Sequence, residues 1–421
     1  MRIAILTLGT RGDMQPYVAL ALGLRAAGHD VVISGPENFA EWVQGFGFDY
    51  VSGGLDLQAL LQSPAGRDLI SGSLFAIIRN FRDLSTKVTA EVIEGGTRAT
   101  ENADLILYHP KAFVGVDLGE AKNIPVIATA LQPVLVPTGD FAVAGLGNGR
   151  LGRRLNRWSY AAVRAQRALF SGQINRWRTE VLGLPALPRF AKTGEINGTP
   201  LPVLHAHSKH VVPRPADWPD HAHVTGYWFL DDTSGWVPPD DLQAFLDAGP
   251  PPVYVGFGSM TDKDPEAKAR LVIEAVAKAE CRAVIATGWG GLTADDLPDT
   301  VFAIDGAPHD KLFPLMSAIV HHGGAGTTAA AFRAGKPQLV APYFGDQPFW
   351  GHRVADLGAG LPPLPQKKMT ADKLAHSLRG IVKDKTFASH AETLAHELAK
   401  EDGVSTAVGL IERLAMGGRP V

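Results

Sequence analysis

A glycine-rich stretch around residue 320 contains the residue types that bind phosphate. Residues 317–332 predict a strand, a loop with three glycines and the start of an alanine-rich helix. Glycines let the backbone approach an anion, and free N–H groups at a helix start stabilise negative charge, with Thr327 or Thr328 as a candidate cap. An ordinary strand-to-helix turn has the same pattern, so the stretch alone leaves both interpretations open.

Two other patterns could mark a binding site, but each is a weaker signal than the glycine-rich stretch. Residues 147–152 fit the glycine fingerprint of dinucleotide-binding loops, but no strand signal precedes them, so we interpret this match as accidental. Five histidines between His205 and His223 could ligate a metal, but they lack cysteine partners and border a turn-rich stretch. We therefore predict no metal site and no bound cofactor.

The glycine-rich stretch belongs to the second of two similar α/β patterns. The first pattern is a buried strand at 3–7, a glycine-containing loop, a helical run at 16–27 and a strand at 31–33. The second starts at Val253, continues through a helical run at 266–279 and returns to a strand at 283–286. Such βαβ units predict parallel sheets, whose ligands bind outside the carboxyl ends of the strands.

The length of 421 residues is enough for two domains. A proline-rich stretch separates the two α/β patterns and predicts a linker at 214–250 that few contacts cross. We therefore predict two doubly wound, Rossmann-like α/β domains facing each other across a cleft. The first domain is predicted at 1–213 and the second at 251–395, with a helix at 396–421 that packs back on the first domain.

Composition restricts the location of the protein more than its partners. The net charge of −3 favours no partner class, and the lone Cys281 cannot form an intrachain disulfide. The start of the sequence lacks a signal-peptide pattern. The longest uncharged stretch, 312–332, contains two histidines and a glycine cluster that a lipid-facing helix would not favour. We expect a cytoplasmic protein without a transmembrane helix.

Five short blocks resemble the inverting nucleotide-sugar-dependent glycosyltransferases. This superfamily includes the UDP-glycosyltransferases, the sterol 3-beta-glucosyltransferases and the bacterial antibiotic-tailoring enzymes. The blocks occur in the family's order and spacing at 306–309, 312–314, 321–328, 335–337 and 342–347. The resemblance implies the GT-B fold, which consists of two Rossmann-like domains with the nucleotide sugar bound by the second.

The resemblance also implies which residues bind the donor. His321 and the N–H groups from Gly323 to Thr327 would contact the diphosphate, while Asp346 and Gln347 would bind sugar hydroxyls. Plant members have a tryptophan where this chain has Gly306, so Trp289 is the expected platform for the base; packing in the cleft is its alternative role. The complete predicted donor set is Thr10, Gly12, Ser259, Trp289, Ala307, His309, His321, Gly323, Gly324, Ala325, Gly326, Thr327, Asp346 and Gln347.

The loop from Gly9 to Pro16 resembles the antibiotic-tailoring and sterol branches, which have an aspartate where plant enzymes have a histidine. The resemblance implies that Asp13 is the general base that takes the proton of the acceptor hydroxyl. Spacing alone favours a different role, because an aspartate just before a proline-containing helix start is a common N-cap. Both roles can hold together.

The acceptor is expected to contact the first domain. The run 103–133 looks most like the sterol glucosyltransferases and their bacterial relatives, which implies a bulky apolar alcohol such as a sterol, terpenoid, polyketide or lipid. The predicted contacts are Phe75, His109, Leu131 and Gln132. Residues 150–178 contain eight arginines, two tryptophans and no acidic residue. They could rest peripherally on an anionic membrane, or form a solvated helix face whose arginine stems cover apolar surface.

The resemblance therefore predicts a metal-independent, inverting hexosyltransferase that uses UDP-glucose and an apolar acceptor, without nucleic acid. Three alternatives remain open. A dTDP-deoxysugar transferase would share most blocks, and a catalytically silent sugar-nucleotide-binding activator would lack a cleft carboxylate such as Asp13. A Rossmann dehydrogenase would need a glycine fingerprint after the first strand, where this chain has Gly9-Thr10-Arg11-Gly12.

Overall fold

The computed structural model describes residues 1–56, 59–60, 74–146, 151–192, 194–258, 264–286 and 297–417, without the side chains of 74–84, 166 and 417. Its helices alternate with the strands of two parallel sheets, and a two-stranded antiparallel ribbon accompanies the first sheet. The strands are β1 (Arg2–Leu6), β2 (Asp30–Ser34), β3 (Asp49–Val51), β4 (Leu105–Tyr108), β5 (Val126–Ala130), β6 (Glu195–Ile196), β7 (Thr199–Pro200), β8 (Val203–His205), β9 (Ala222–Val224), β10 (Val253–Gly256), β11 (Ala283–Ala286), β12 (Val301–Ile304), β13 (Ala318–His321), β14 (Gln338–Val340) and β15 (Gly360–Leu361).

The helices cover both faces of the sheets. They are α1 (Arg11–Ala26), α2 (Ala40–Gln44), α3 (Leu74–Ala99), α4 (Val114–Lys122), α5 (Arg153–Ser159), α6 (Ala161–Ala168), α7 (Ser171–Glu180), α8 (Asp240–Asp247), α9 (Pro265–Ala279), α10 (His309–Leu312), α11 (Ala325–Arg333), α12 (Gln347–Asp356), α13 (Ala371–Lys383), α14 (Lys385–Leu398) and α15 (Gly403–Gly417). Short 3₁₀ turns lie at Glu37–Phe39, Phe313–Leu315 and Gln366–Lys368. Across the described segments, every helix is too short or too polar to cross a bilayer.

The first sheet has the strand order β3-β2-β1-β4-β5-β8-β9, with every neighbouring pair parallel. The order reverses between β1 and β4, so the loops after these two strands leave toward opposite faces and open a crevice between them. Buried aliphatic residues such as Ile3, Ile5 and Leu107 fill the core beneath it.

The second sheet repeats this arrangement in the order β12-β11-β10-β13-β14-β15. Its reversal lies between β10 and β13, so the loop after β10 and the glycine-rich loop after β13 flank the second crevice. Both sheets are doubly wound and parallel, which confirms the predicted fold class.

The proline-rich stretch is more tightly packed than predicted. Strand β9 extends the first sheet to Val224, so a boundary at residue 213 divides that sheet. We call each sheet with its packed helices a unit. Within the expected linker, Trp228 lies in the core of the first unit, and Leu242 of α8 lies in an apolar cluster of the second unit. Since apolar side chains occur among the prolines, the segment buries surface on both units instead of spanning freely between them.

The last helix, α15, packs against α1 of the first unit. An ideal Cβ at Gly23 of α1 would lie 2.3 Å from Val404 Cγ1, so only a glycine allows this close approach. His29 Nε2 also lies 3.1 Å from a carboxylate oxygen of Glu412. The C-terminal end of the chain therefore braces the helix that begins at the crevice of the first sheet.

Candidate active site

Asp13 lies in the first turn of α1, at the crevice between β1 and β4. The helix begins at Arg11 with Thr10 as its N-cap, so Asp13 is the third helical residue and not the N-cap that spacing favours. Its Oδ2 accepts a 2.9 Å hydrogen bond from the backbone N–H of Thr10. An ideal Cβ at Gly9 would lie only 2.1 Å from this Oδ2, and the φ of Gly9 is +151°. The preceding loop therefore requires glycine to hold the carboxylate.

The second carboxylate oxygen of Asp13 contacts Lys111, which follows the neighbouring strand β4. Lys111 Nζ lies 2.6 Å from Asp13 Oδ1. Burial would raise the pKa of Asp13, but Lys111, His109 and the hydrogen bonds outweigh it and hold that pKa below its ordinary value. Asp13 is therefore ionised at neutral pH, as a proton acceptor must be.

His109 is buried beside this ion pair. Its Nδ1 accepts a 3.2 Å hydrogen bond from the backbone N–H of Lys111, so the ring proton of the neutral imidazole resides on Nε2. Burial and the Lys111 charge lower the pKa of His109 to about 3 despite the opposing effect of Asp13. Nε2 is buried and has no hydrogen-bond partner among the described residues. It is thus an unused donor next to Asp13.

On the opposite sheet, a chain of hydrogen bonds fixes the glycine-rich loop. The N–H of Gly323 donates to His321 Nδ1 at 3.1 Å, and His321 Nε2 donates to Gln338 Oε1 at 2.9 Å. Burial is the largest cause that lowers the pKa of His321 to about 3, so the ring is neutral. Both ring nitrogens have protein partners and the side chain is fully buried. In this arrangement His321 shapes the loop, and its predicted contact with the diphosphate stays a prediction.

Helix α11 begins at Ala325 with Gly324 as the N-cap, so the expected threonine cap is wrong. The Thr328 hydroxyl instead donates back to the carbonyl oxygen of Gly324 at 2.9 Å. The first-turn N–H groups of an α-helix have no partner within the helix. Those of Ala325, Gly326 and Thr327 therefore remain available at the positive end of the helix dipole.

Gly323 lets the loop turn tightly enough to present these N–H groups. Its φ is +91°, and an ideal Cβ would lie 2.5 Å from Val340 Cγ1 and 2.9 Å from the carbonyl oxygen of Gln347. Any larger residue would push the loop away from β14 and α12. On its other side, an ideal Cβ at Gly258 would lie 3.0 Å from His322, so the loop after β10 abuts the glycine-rich loop.

Asp346 and Gln347 lie at the start of α12 and differ in availability. Gln347 is buried, and its Oε1 accepts the N–H groups of Tyr343 at 2.7 Å and Phe344 at 3.3 Å. Asp346 is half-buried and accepts the Trp350 indole N–H at 2.9 Å through Oδ2. Burial outweighs Trp350 and Lys111 and raises the pKa of Asp346. Gln347 therefore closes the loop, and Asp346 presents a carboxylate.

The two crevices face each other. Lys111 and Asp13 of the first unit both perturb the pKa of Asp346, and Arg11 perturbs that of His309, although each pair spans the two units. Phe141 packs edge-on against Phe349 with ring centroids 5.5 Å apart. The structure therefore brings Asp13, Lys111, Asp346 and the start of α11 to one cleft.

The remaining predicted residues lie in varied surroundings. Thr10 and Gly12 are exposed at the start of α1, Ala307 and Gln132 are half-buried, and His309 stacks on Phe313 at 4.2 Å. Leu131 belongs to the apolar core of the first unit, where it supports the crevice from below. Ser259, Trp289 and the side chain of Phe75 lie outside the described residues.

The five histidines between 205 and 223 have different surroundings, and only the first two are buried. His205 and His207 are buried, and His205 stacks on Trp218 with ring centroids 4.3 Å apart. Burial is the first cause that lowers the pKa of both rings. Within the described segments, no three histidine, cysteine or acidic side chains lie close enough to hold a metal ion.

Two family models match separate parts of the chain. Residues 3–136 match the glycosyltransferase family 28 N-terminal domain, and residues 270–412 match the C-terminal domain of the erythromycin biosynthesis protein CIII-like family. The first match contains Asp13 and Lys111, and the second contains α11 and Asp346. The first match covers β1 to β5 of the first sheet, and the second covers β11 to β15 of the second sheet.

Curated relatives and solved structures are similar to this chain over nearly its whole length. The sterol 3-beta-glucosyltransferase of Emericella nidulans is 35% identical over an alignment of 431 positions, which covers 98% of this chain and 30% of the relative. The chain thus spans about a third of that relative's length. The glycosyltransferase of kitacinnamycin superposes with a TM-score of 0.70 at 20% identity and covers 98% of this chain and 99% of its own. The glycosyltransferase VinC, solved in complex with dTDP, superposes with a TM-score of 0.68 at 22% identity. The match covers 99% of this chain and 100% of VinC. Both halves of the chain thus match family models of glycosyltransferase-type proteins, and the chain has the GT-B fold of these solved glycosyltransferases.

Proposed function

We propose that this chain transfers a hexose, with glucose from UDP-glucose as the first candidate, to a hydroxyl of a bulky apolar acceptor, with inversion at the anomeric carbon. The observation that carries the proposal is the meeting of the Asp13–Lys111 pair, Asp346 and the start of α11 in one cleft. The similarity to sterol 3-beta-glucosyltransferases supports a sterol-like acceptor.

On the donor side, we assign the diphosphate to the start of α11. The N–H groups of Ala325, Gly326 and Thr327 provide hydrogen bonds and a positive potential that can neutralise the leaving group without a metal ion. Asp346 accepts sugar hydroxyls, because its Oδ2 is oriented by Trp350 and its Oδ1 has no side-chain partner among the described residues.

On the acceptor side, Asp13 is the general base. The acceptor oxygen attacks the anomeric carbon, the bond from that carbon to the diphosphate oxygen breaks, and its electron pair leaves with the diphosphate. The hydroxyl proton goes to the Asp13 carboxylate. A carboxylate with a lowered pKa is a weak base, so stabilisation of the departing diphosphate carries much of the rate enhancement.

The second candidate donor is a dTDP-deoxysugar. The solved relative VinC contains dTDP, and the residues that would bind the diphosphate are common to both donors. A catalytically silent sugar-nucleotide-binding activator is a further alternative, which the buried, ionised Asp13 in the cleft makes less suitable.

Transfer assays in EDTA with UDP-glucose or dTDP-glucose, a sterol panel and a flavonoid panel test the proposal. Wild type is compared with Asp13→Asn, which keeps the shape of the side chain but cannot take the proton. The control is Asp384→Asn, because Asp384 also accepts a backbone N–H at a helix start, from Thr386 of α14.

We expect acceptor-dependent release of UDP that Asp13→Asn lowers at least about 100-fold and Asp384→Asn leaves near wild type. Transfer that survives Asp13→Asn would reduce Asp13 to a helix-stabilising residue. Nucleotide binding without turnover of any donor would favour the silent activator.

A further inference from the structure

The arginine-rich segment 150–178 divides into a buried part and an exposed part. Arg178 is buried, and its Nη1 donates to Asp117 at 2.5 Å and to Glu120 at 2.9 Å. Trp177 lies beside it in the core of the first unit. These two side chains stabilise the fold and are unavailable to a partner.

Helix α5 is anchored by its inner face. The Asn156 amide donates to the carbonyl oxygen of Gly139 at 2.8 Å, and the Ser159 hydroxyl accepts the N–H of Val143 at 2.8 Å. Because Asn156 and Ser159 are three residues apart, they define one side of the helix. The opposite side is therefore directed away from the protein.

Two large apolar side chains of α5 are exposed, one on that outer side and one between it and the anchored side. Trp158 is 74% exposed and Leu155 is 56% exposed, and these two are again three residues apart on the helix. Leu151, just before the helix, is 47% exposed. These three large apolar side chains form an exposed hydrophobic patch. Together with Arg154 on the same helix, we call this patch the α5 face, defined as Leu151, Arg154, Leu155 and Trp158.

The charge around the α5 face is positive. Arg153 and Arg157 form ion pairs with Asp140 and Asp217, but Arg154, four residues before Trp158, has no carboxylate within 4 Å among the described residues. The same holds for the exposed Arg164 of α6. The sequence has no acidic residue from 150 to 178 to neutralise them.

We propose that the α5 face docks on the surface of a bilayer that contains anionic lipid. Tryptophan and leucine suit the boundary between head groups and acyl chains, while unpaired arginines contact lipid phosphates. A second copy of the chain fits less well, since a symmetric contact would bring the same unpaired arginines together.

The α5 face is close to the cleft. Residues 139–146, which hold α5, reach the second unit, where an ideal Cβ at Gly145 would lie 3.6 Å from the carbonyl oxygen of Gly345, next to Asp346. If the proposed function holds, a docked membrane lies near the cleft that takes a lipid-soluble acceptor. The docking itself does not rest on that function.

Vesicle flotation tests the docking without any nucleotide sugar or turnover. The protein is mixed with phosphatidylcholine vesicles with or without phosphatidylglycerol. The variants are Leu155→Ser/Trp158→Ser and Arg154→Glu. The matched controls are Val237→Ser, another highly exposed apolar residue, and Arg270→Glu, an exposed arginine of α9 in the second unit.

We expect wild type to float with the anionic vesicles, the double serine variant to lose at least about tenfold in bound fraction, and Arg154→Glu to bind less. Both controls should bind like wild type. Equal binding of all variants, or no vesicle binding by wild type, would overturn the proposal. So would a dimer in sedimentation velocity without lipid that the double variant abolishes, because the α5 face would then be a protein interface.

Discussion

The Lys111 ammonium lies 2.6 Å from Asp13 Oδ1, and its charge also lowers the pKa of Asp346 across the cleft. One cation therefore acts on the carboxylate assigned to the acceptor proton and on the one assigned to the sugar. It opposes burial, the main cause that raises the pKa of Asp346, and the smaller effect of repulsion between the two carboxylates. No role was predicted for Lys111 from the sequence.

Replacing Lys111 with methionine should raise the pKa of Asp13. The lysine charge is the largest influence that lowers this pKa, and without it the burial of Asp13 favours the protonated form. Protonated Asp13 cannot accept a proton, so the acidic limb of the profile of kcat/KM against pH should move upward. The measurement is that profile between pH 4 and pH 8 with an acceptor that does not titrate.

Lys111→Arg is the control for this experiment, because it keeps the positive charge. Its acidic limb should stay close to that of wild type. A Lys111→Met profile with an unmoved acidic limb and only a lower plateau would mean that Asp13 is not the titrating base.

Proline at position 325 should weaken UDP binding without unfolding α11. Ala325 is the first helical residue, where proline is tolerated, and Gly324 before it has φ −61° and ψ 142°, a conformation that proline allows. The substitution removes one N–H group from the proposed diphosphate site. A hydrogen bond to a charged group contributes about 1.5–3 kcal/mol, so calorimetry should find UDP binding roughly 10- to 150-fold weaker.

Lys385→Pro is the matched control for Ala325→Pro. Lys385 is the exposed first residue of α14, and the N-cap Asp384 bonds to Thr386 and not to Lys385. Both variants should keep a melting temperature near that of wild type, and Lys385→Pro should bind UDP normally. Normal UDP affinity in a folded Ala325→Pro protein would place the diphosphate elsewhere.

Asp346→Asn should separate sugar recognition from nucleotide binding. The amide keeps the shape of the side chain and can still accept the Trp350 indole N–H at the start of α12, but it loses the charge that attracts sugar hydroxyls. We expect kcat/KM for UDP-glucose to fall about 30- to 300-fold, or roughly 2–3.4 kcal/mol, while calorimetry finds UDP affinity within a few-fold of wild type.

Asp356→Asn at the other end of α12 is the control for charge loss in this helix. It should leave both measurements unchanged. A parallel loss of UDP affinity and turnover in Asp346→Asn would assign Asp346 to the nucleotide and not to the sugar.

Local sequence signals predicted the elements better than the contacts between them. The glycine cluster at 323–326 and the repeated βαβ pattern were sufficient to predict two doubly wound sheets and the start of a helix after His322, because both signals are local. The exact helix starts were wrong: α1 begins at Arg11 and not near Pro16, since Thr10 and Asp13 stabilise an additional turn.

The missed site residues depend on contacts distant in sequence. Lys111 reaches Asp13 over 98 positions, and only the adjacency of β1 and β4 brings them together. Gln338 reaches His321 in the same way through the neighbouring strands β13 and β14. Trp350 is the exception, because its spacing of four residues from Asp346 could have indicated a contact on α12.

His321 should make the stability of the protein depend on pH. Its pKa in the folded protein is about 3, mainly through burial, against an ordinary value of 6.5. Between these values the unfolded chain takes up a proton that the folded chain does not, so stability decreases as the pH falls below 6.5. Each pH unit costs about 1.4 kcal/mol, so His321 should account for a loss of roughly 2 kcal/mol between pH 6.5 and pH 5.

Urea unfolding of wild type and His321→Gln at pH 7, 6.5 and 5 measures this contribution. Glutamine does not titrate, so the variant should be less stable at pH 7, where it lacks the histidine hydrogen bonds, but should lose about 2 kcal/mol less than wild type on acidification. The exposed His396 of α14 provides the control, and His396→Gln should keep the wild-type dependence. Equal losses in wild type and His321→Gln would mean that His321 takes up a proton at the same pH in the folded protein as in the unfolded chain, which would contradict its buried donor–acceptor arrangement with Gln338 and Gly323.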